Sequence, residues 1–417
     1  MKKVMVCGCG AQGSTICRRL DEEPNIEEVV CADYNLAAAE AVCKLMKKGT
    51  PKQVNAAHVD EIAKAAEGCE LIVNVMPLEF GVNVMQAALQ IKACYQDLSA
   101  CENVVEGFPE YDTWLEGIRY MYTEYGRRFA ENGTTAIIGT GSAPGVMCVM
   151  ARKAVNELDE CDTIACMVYE GTRTKRFIPF FWSPEVALCD MEEDAYAFEN
   201  CQQIRTKPFS RPIKRNWPEC GREVTLVEHA HDEPVYIGFN REKYFKGCKN
   251  AYFKYGGTGI EFSEGLYKAG LLHHTPEEFE GGEIVPFDWV LKHIPMPPKD
   301  PEVIKAIIDE GIVEDNGAFV CEAYGKKNGK DIMVDLHVSS PGLEEAYERA
   351  KMTGEMYLTG QGAFLYTKLL VNDMVPQKGL ISSDMLDDQQ VEQYIAWAND
   401  LGITYTIDIK EGCKFDG

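Results

Sequence analysis

Hydrophobic and polar positions in the first part of the chain fall into two alternating patterns. Short apolar runs, typical of buried strands, occupy residues 3–7, 29–33, 54–59, 71–77, 95–99 and 134–140. Between them, apolar residues recur at helical spacing in residues 14–20, 36–48, 61–67, 82–93 and 111–131. Strands that alternate with helices of this size predict an α/β domain built on a Rossmann-type, doubly wound parallel sheet.

A glycine-rich turn follows the first predicted strand. The sequence Gly8-Cys9-Gly10-Ala11-Gln12-Gly13 matches G-x-G-x-x-G and opens the first helix. The first glycine permits the tight turn, the second lets backbone approach a pyrophosphate, and the third allows close packing of helix on strand. The N–H groups and dipole at the helix start favour a phosphate charge. The pattern predicts a dinucleotide site. The alternative is a βαβ unit that has kept the turn without binding a nucleotide.

An acidic residue ends the second predicted strand. Asp33 lies twenty residues beyond Gly13, where its side chain can accept hydrogen bonds from ribose hydroxyls. A 2′-phosphate would be repelled there, and no arginine follows in Tyr34-Asn35. The sequence therefore favours NAD over NADP as the cofactor.

Ligands of a doubly wound sheet bind beyond the carboxyl ends of its strands. Further cofactor contacts are expected at the later strand ends, namely at Asp60, Met76, Pro77, Ser99, Gly141 and Pro144. Residues 139–145 repeat the strand–glycine turn–helix design. Because most of these residues have small side chains, the backbone of the turn could approach a nicotinamide or a substrate closely. The alternative is a tight turn without a ligand.

The pattern changes near residue 159. Strands are predicted at residues 163–170, 224–228, 235–238 and 251–256, and helices at 183–200 and 261–270. Residues 318–326 and 331–339 form a predicted hairpin around Asn328-Gly329. Such strands predict a second, α+β domain with a mixed or antiparallel sheet.

The last part of the chain is predicted to be mostly helical. Residues 344–371 and 388–399 read as helices and residues 404–409 as a strand, with Gly354, Gly360 and Gly362 indicating close packing of the first helix. We expect a dinucleotide-binding domain at residues 1–150, completed by a returning segment near 341–376. A substrate and dimerisation domain is expected at 151–340, and residues 377–417 add a helix and a strand.

Composition excludes several classes of partner. The chain has 417 residues, is 46% hydrophobic, and carries a formal net charge of −24, which argues against binding nucleic acid or an anionic membrane. Its 17 cysteines lie mostly in apolar segments and form no C-x-x-C pair, so a reducing cytoplasm is expected. No secretory signal is recognised, and the uncharged residues 132–151 contain too many glycines and a proline to span a membrane. The histidines lack metal-ligand spacing, which predicts no metal.

Several motifs together resemble the saccharopine dehydrogenase-like family, and within it the branch of L-lysine 6-dehydrogenase. They occur in the order of that family and cover most of the chain: the glycine turn, Asp33, Met76-Pro77, Asp97-Leu98-Ser99, Ser142-Ala143-Pro144-Gly145, Phe181-Trp182-Ser183-Pro184, Phe253-Lys254-Tyr255 and Lys351-Met352-Thr353-Gly354. The chain departs from the family at Lys351, where an arginine is common, and at Gly256-Gly257, where the family has Pro-Gly-His. These departures leave the substrate open.

The resemblance implies an NAD-dependent oxidoreductase acting on a C–N bond of an amino acid or amine, by hydride transfer through an imine. Asp97 and Glu79, at strand ends, are the candidate catalytic residues for holding an ammonium or relaying a proton. An amino-acid substrate needs a cation for its carboxylate, for which Lys254 is the first candidate, followed by Arg173 or Arg176. Trp182 and Tyr255 are candidate walls of the substrate pocket. Ordinary surface or core roles are the alternatives, and the family resemblance also suggests a homodimer.

Two other functions remain open. A homospermidine- or carboxyspermidine-type synthase or reductase would share the fold and the imine chemistry. A nucleotide-binding sensor without catalytic activity would keep the dinucleotide site alone.

Overall fold

The computed structural model describes residues 1–100 and 113–415, which fall into two compact units. The first unit comprises Met1–Val149 and Leu358–Leu401, and the second comprises Met150–Tyr357 and Gly402–Gly417. The first two residues of the helix predicted at 111–131 lie outside the described residues. The segment that returns to the first unit begins at Leu358, later than the predicted residue 341. It extends to Leu401, beyond the predicted residue 376, because it includes a strand of the sheet.

The first unit is built on a parallel sheet of seven strands. The strands are β1 (Lys2–Cys7), β2 (Ile26–Asp33), β3 (Gly49–Gln53), β4 (Leu71–Asn74), β5 (Cys94–Asp97), β6 (Thr135–Ile138) and β19 (Gly379–Ser382). Their order is β19-β6-β5-β4-β1-β2-β3, so the winding direction reverses between β1 and β4. The predicted doubly wound sheet is confirmed.

Helices connect these strands. They are α1 (Ala11–Glu22), α2 (Leu36–Cys43), α3 (Val59–Ala65), α4 (Gly81–Ile91), α5 (Thr113–Tyr120), α6 (Gly126–Asn132), α7 (Met147–Asn156), α14 (Gly354–Val371) and α15 (Asp388–Asp400). A π-helical segment, Met121–Tyr125, joins α5 to α6, and a short 3₁₀ turn, Leu78–Phe80, precedes α4. The α7 and α14 helices each run from one unit into the other.

The two edge strands of this sheet were not predicted. The strand predicted at residues 54–59 is wrong, because the strand is β3 and Val59 already begins α3. The β3 strand lies at the edge, is only partly buried and contains a proline, so it lacks the apolar run of a central strand. At the opposite edge, the strand β19 was missed although its four residues are buried; it begins with a glycine and ends with a serine, which leaves an apolar run of two residues.

The second unit contains a mixed sheet of nine strands. Its strands are β7 (Glu160–Glu170), β9 (Ala195–Glu199), β10 (Gln202–Thr206), β11 (Ile213–Asn216), β12 (Glu223–Glu228), β13 (Asn250–Gly257), β17 (Gly317–Lys327), β18 (Lys330–Ser339) and β20 (Thr404–Glu411). Only the β13–β7 pair is parallel; the other pairs of this sheet are antiparallel. The predicted second α+β domain with a mixed sheet is confirmed.

Six helices and two small ribbons complete the second unit. The helices are α8 (Pro184–Glu192), α9 (Glu233–Tyr244), α10 (Thr258–Lys268), α11 (Pro286–His293), α12 (Pro301–Glu310) and α13 (Leu343–Ala350). The ribbons pair β14 (Glu277–Phe279) with β15 (Gly282–Ile284) and β16 (Ile312–Glu314) with β8 (Arg173–Thr174). The predicted hairpin is confirmed: β17 and β18 turn at Asn328 and Gly329, which have positive φ angles of 52° and 76°.

Three predictions for this part of the chain were wrong. The helix predicted at 183–200 ends at Glu192, and β9 follows it. The strand predicted at 235–238 lies inside α9, which Pro234 starts at its first turn. The helix predicted at 344–371 is two helices, separated where Lys351 adopts a φ of 62°. In each case a short apolar run did not distinguish helix from strand or reveal a break.

The glycines predicted to pack closely do so. A Cβ on Gly360 would lie 3.2 Å from the Thr15 side chain on α1, and one on Gly362 would lie 2.6 Å from Val146. Gln96, at the end of β5, donates to Ala363 O (2.8 Å) on α14. The α14 helix is thereby fixed against the glycine turn of β1 and the turn after β6. Among the described residues, no helix is both long enough and apolar enough to cross a membrane.

Candidate functional site

The glycine turn after β1 leaves space only where a phosphate would need it. A Cβ on Gly8 would lie 2.8 Å from Val75 O, and one on Gly13 would lie 1.8 Å from Gly8 O. These two positions accept no side chain. Gly10, in contrast, is exposed, and a Cβ there would meet no atom within 4 Å. The open face of Gly10 therefore borders the start of α1, where Ala11 and Gln12 present the first N–H groups of the helix.

Asp33 is held rigidly at the end of β2. Its Oδ2 accepts a hydrogen bond from Cys9 N (2.8 Å), and its Oδ1 accepts one from Asn35 N (2.8 Å). A carboxylate has further lone pairs, and this one is partly exposed, so it can still accept from ribose hydroxyls. The glycine turn and Asp33 together fit a nicotinamide dinucleotide, with the pyrophosphate at α1 and the adenosine ribose at β2.

The later strand ends of the first unit meet the glycine turn. Met76, which follows β4, lies with its Sδ 3.3 Å from the position of a Gly8 Cβ. Gly141 N donates to Leu98 O (3.1 Å), so the turns after β5 and β6 are in contact. Of the remaining predicted contacts, Pro77 and Ser99 are exposed and Pro144 is buried. Met76 thus lies beside the glycine turn and the turns after β5 and β6 contact each other, while the crevice and its individual cofactor contacts stay predictions.

Asp60 occupies surroundings other than those predicted, whereas Glu79 lies in the segment after β4, where the prediction placed it. Asp60 was expected at a strand end, but it lies exposed in the first turn of α3 and accepts from Gln90 Nε2 (3.3 Å). Because the strand that should have placed it does not exist, the argument for a cofactor contact at Asp60 is lost. Glu79 lies in the exposed 3₁₀ turn before α4, next to Pro77.

Asp97 is at a strand end, but it is buried and bound by its neighbours. It is 1% exposed, its Oδ1 accepts from Gly139 N (2.8 Å), and its Oδ2 accepts from Tyr95 Oη (3.0 Å). Its backbone carbonyl also accepts from Thr140 N (3.0 Å). A carboxylate engaged in this way holds the strand ends together, so the geometry does not support the predicted contact of Asp97 with a substrate ammonium.

In the second unit, two predicted substrate residues converge on a carboxylate that was not predicted. Glu170, the last residue of β7, accepts a hydrogen bond from Trp182 Nε1 (3.1 Å) and another from Tyr255. Burial raises the pKa of Glu170, while these two hydrogen bonds and the charge of His231 act in the opposite direction. Burial and Glu170 also raise the pKa of Tyr255 well above its usual range. We call these residues, with Glu355, the acidic–aromatic cluster.

Glu355 adds a second carboxylate to the acidic–aromatic cluster. It lies in the first turn of α14 and is only partly exposed. Burial, followed by the negative charges of Glu170 and Asp315, raises the pKa of Glu355 to about 8. At neutral pH the pair therefore carries a proton that two solvated glutamates would have released.

A histidine–glutamate pair lies beside this cluster. His231 stacks on Phe253, with ring centroids 3.9 Å apart, and its Nδ1 lies 2.5 Å from Glu233 Oε2. Burial alone would lower the pKa of His231, but Glu233 raises it to about 9, so His231 is a cation at neutral pH. His229, between this pair and Tyr255, is kept neutral because burial and the charge of His231 lower its pKa to about 3.

The cations expected to bind a substrate carboxylate have other partners. Lys254 is fully buried, and its Nζ lies 2.7 Å from Glu228 Oε1 and donates to Arg211 O (2.9 Å). Arg173 is exposed on β8 and pairs with Glu314 at 3.1 Å. The prediction that Lys254 binds a substrate carboxylate conflicts with this geometry. If Lys254 left Glu228 to bind a substrate, the buried carboxylate would lose its ion pair, which would strongly destabilise the folded protein.

Sequence reasoning missed Glu170, His231, Glu233 and Glu355. The rule of strand ends would have found the first of these. Gly257 of β13 pairs in parallel with Glu170 of β7, and a Cβ on Gly257 would lie 2.1 Å from Glu170 O. Nothing local in the sequence indicates that Glu355 is buried beside Glu170. In the part of the chain that the structure describes, no group of three His, Cys, Asp or Glu residues is placed to hold a metal ion.

The sequence is similar to those of several known proteins. Residues 4–137 match the family model described as the saccharopine dehydrogenase NADP binding domain. Carboxynorspermidine synthase from Vibrio alginolyticus is 27% identical over 357 residues, covering 82% of this chain and 79% of the relative. Its namesake from Vibrio cholerae is 24% identical, with 86% of each chain covered. Carboxyaminopropylagmatine dehydrogenase from Synechocystis is 23% identical, with each chain fully covered.

Solved structures show the same fold. Apo saccharopine dehydrogenase (L-Glu forming) from Saccharomyces cerevisiae superposes with a TM-score of 0.68 at 14% identity, covering 99% of this chain and all of the other. Homospermidine synthase from Legionella pneumophila, in complex with NAD, gives a TM-score of 0.64 at 11% identity, covering 98% and 91%. The family model and the glycine turn agree on a nicotinamide dinucleotide as cofactor. They leave open whether it carries a 2′-phosphate.

The open face of Gly10 leads to a test of the dinucleotide site. Gly10→Ala should weaken binding of the reduced cofactor about tenfold or more, because its Cβ would enter the space for the pyrophosphate. Its melting temperature should stay near that of the wild type, since no protein atom is displaced. Cofactor fluorescence titration and calorimetry measure the two quantities. Gly265→Ala, at a glycine with equally open surroundings on α10, is the control and should leave binding unchanged. Unchanged affinity in Gly10→Ala would contradict this placement.

Proposed function

We propose that this chain, which is similar to saccharopine dehydrogenase-like proteins, is an NAD(P)-dependent oxidoreductase acting on a C–N bond of a small amine. Carboxynorspermidine synthase is the first model for its reaction, because two relatives of that name align with 82% and 86% of this chain. A reaction of the lysine 6-dehydrogenase or saccharopine dehydrogenase type is the alternative.

The observation that supports an amine substrate is the acidic–aromatic cluster. Its carboxylates, Glu170 and Glu355, suit an ammonium group, and its aromatic rings, Trp182 and Tyr255, can pack against the carbon chain and the cation. The buried Lys254, in contrast, is neutralised by Glu228. The side chains of the second unit thus favour a cationic substrate end over an anionic one.

The protein must perform three functions in this reaction. The first is to bind the pyrophosphate and adenosine ribose of the dinucleotide at Gly10 and Asp33; the nicotinamide of the bound cofactor would supply or accept the hydride. The second is to take a proton from the substrate ammonium, so that the nitrogen lone pair can attack a carbonyl carbon and release water as the imine forms. The third is to provide a proton when the imine is reduced to an amine. Glu355, whose pKa is raised to about 8, holds a proton at neutral pH that it can supply to the imine, and once ionised it can accept the proton of the next substrate ammonium.

We further propose that the cofactor is NAD. The support is Asp33, whose carboxylate is fixed by two backbone N–H groups at the position of the adenosine ribose. A 2′-phosphate there would meet a negative charge that cannot rotate away. The residues that follow, Tyr34 and Asn35, carry no compensating positive charge.

Steady-state kinetics with purified protein tests the reaction class. NAD(P)H should be oxidised when a diamine and a small aldehyde are supplied together, and not with either one alone. Reduction of NAD(P)⁺ by lysine or saccharopine without any such pair would favour the alternative reaction. Bound dinucleotide with no turnover over the whole panel would favour a nucleotide-binding sensor and overturn the proposal.

The cofactor preference is tested at Asp33. Asp33→Ala should lower the ratio of NAD to NADP affinity about tenfold or more, because NAD loses a charge-assisted hydrogen bond and NADP escapes repulsion. Equilibrium titration of both cofactors measures the ratio. Asp21→Ala is the matched control, because Asp21 also accepts from two backbone N–H groups, those of Lys47 and Lys48. Tighter binding of NADP by the wild type, with a ratio that Asp33→Ala leaves unchanged, would refute the assignment.

The pKa of Glu355 predicts how stability depends on pH. Its folded-state pKa, about 8, lies above the ordinary value of 4.5, so the folded protein binds a proton that the unfolded chain releases. Stability is therefore lost as pH rises from about 4.5 to 8. A glutamine at this position cannot ionise, so Glu355→Gln removes this loss. From pH 5 to pH 9, the free energy of unfolding of the variant should rise by roughly 2 kcal/mol relative to that of the wild type. This free-energy difference is smaller than the whole pKa shift of Glu355 would give, because solvent screens a partly exposed carboxylate.

Urea denaturation at the two pH values measures this difference. Glu344→Gln, at an exposed glutamate on α13, is the control and should follow the wild-type pH dependence. Binding of a diamine to the wild type should also tighten as pH rises towards 8, as Glu355 ionises, and Glu355→Gln should flatten that rise. Parallel stability curves for Glu355→Gln and wild type would show that Glu355 is an ordinary solvated carboxylate.

A further inference from the structure

A continuous chain of hydrogen bonds crosses three adjacent strands of the first unit, at their carboxyl ends. Met76 N donates to Asn74 Oδ1 (3.1 Å), and Asn74 Nδ2 donates to Tyr95 Oη (3.0 Å). Tyr95 Oη donates to Asp97 Oδ2 (3.0 Å), and Asp97 Oδ1 accepts from Gly139 N (2.8 Å). The chain begins in the loop after β4 and ends in the turn after β6.

The three side chains in the middle of this chain are shielded from water. Asn74 is 5% exposed, Tyr95 is fully buried, and Asp97 is 1% exposed. Tyr95 is the central link, because its hydroxyl both accepts from one neighbour and donates to the other. In such surroundings each hydrogen bond is strong and an unpaired group is costly, so the chain has a strong preference for a single arrangement.

The loops at the two ends of the chain border one half of the crevice. The winding of the sheet reverses between β1 and β4, and a dinucleotide lies across that point. Asp33, on β2, receives the adenosine half. The loop at Met76 and the turn at Gly139–Gly141 lie on the other side of the reversal, with β4, β5 and β6, where the nicotinamide half belongs.

We infer that Asn74, Tyr95 and Asp97 are positioning residues that fix the two loops around the nicotinamide half of the cofactor. This inference rests on the proposed binding of a nicotinamide dinucleotide, and it gives Asp97 a role other than the one predicted from its strand end. The network contacts the cofactor only through the loops that it holds. Its loss should therefore affect the nicotinamide half and leave the adenosine half bound as before.

Binding measurements with two ligands test this inference. ADP-ribose contains the adenosine, pyrophosphate and second ribose of the cofactor but lacks the nicotinamide ring. Tyr95→Phe keeps the buried ring and removes only the bridging hydroxyl. It should weaken NADH binding about 5- to 10-fold, as expected for one lost buried link. It should change ADP-ribose binding less than twofold, and the fluorescence of bound NADH should report a more mobile nicotinamide.

Tyr394→Phe is the matched control. Tyr394 is also fully buried in the first unit, and its hydroxyl donates to Gly362 O (3.0 Å), outside the network. It should lose a similar amount of thermal stability and bind both ligands like the wild type. Asp97→Asn, which keeps an acceptor for Gly139 N, supplies a second variant with a smaller loss in the same direction.

The outcomes separate this inference from the proposed function. Equal weakening of NADH and ADP-ribose, or no weakening of NADH, would overturn the positioning role while leaving the proposed reaction intact. Failure of the wild-type protein to bind either ligand would overturn both. A selective loss of NADH affinity in Tyr95→Phe supports the positioning role even if the amine substrate proves to be different.

Discussion

The first unit depends on one close backbone approach, between Gly13 on α1 and the carbonyl oxygen of Gly8. A Cβ at Gly13 would lie 1.8 Å from that oxygen, so any side chain would push α1 away from β1. The position of α1 then sets the pyrophosphate site at its start and the surface on which Thr15 receives Gly360 of α14. A returning helix from the distant end of the chain is thus tied to a contact within the first thirteen residues.

The buried charged residues of this protein differ in their hydrogen-bond and ion-pair partners. Asp97 and Lys254 are conspicuous in sequence because each lies in or at the end of a strand, yet each is buried and fully committed to neighbours. Glu355 is also largely buried, but burial and nearby carboxylates raise its pKa instead of a cation lowering it. A cation brought beside a carboxylate with a raised pKa would stabilise its ionised form, whereas the charge of Lys254 is already paired with Glu228.

Local patterns predicted the parts of the fold whose information is local. The glycine turn, the central strands of both sheets and the Asn328-Gly329 hairpin follow from backbone requirements of a few residues. Edge strand β3 was missed because half-exposed strands need no apolar run, and α9 because tertiary packing overrides the strand preference of its β-branched residues. The cluster of Glu170 and Glu355 could not be predicted, since only the folded chain brings these distant residues together.

On the proposed function, the environment of Glu355 would couple the binding of an amine to the release of a proton. Burial and Glu170 hold it protonated at neutral pH, while its place in the first turn of α14 favours the ionised form through the helix dipole. These opposing effects leave the pKa of Glu355 at about 8, close to neutral pH. On the proposed function, an ammonium that enters the cluster supplies the missing positive charge, lowers the pKa of Glu355 and displaces its proton. The ionised carboxylate then pairs with the ammonium, so the acid proposed to recognise the amine also determines the proton that is released when the amine binds.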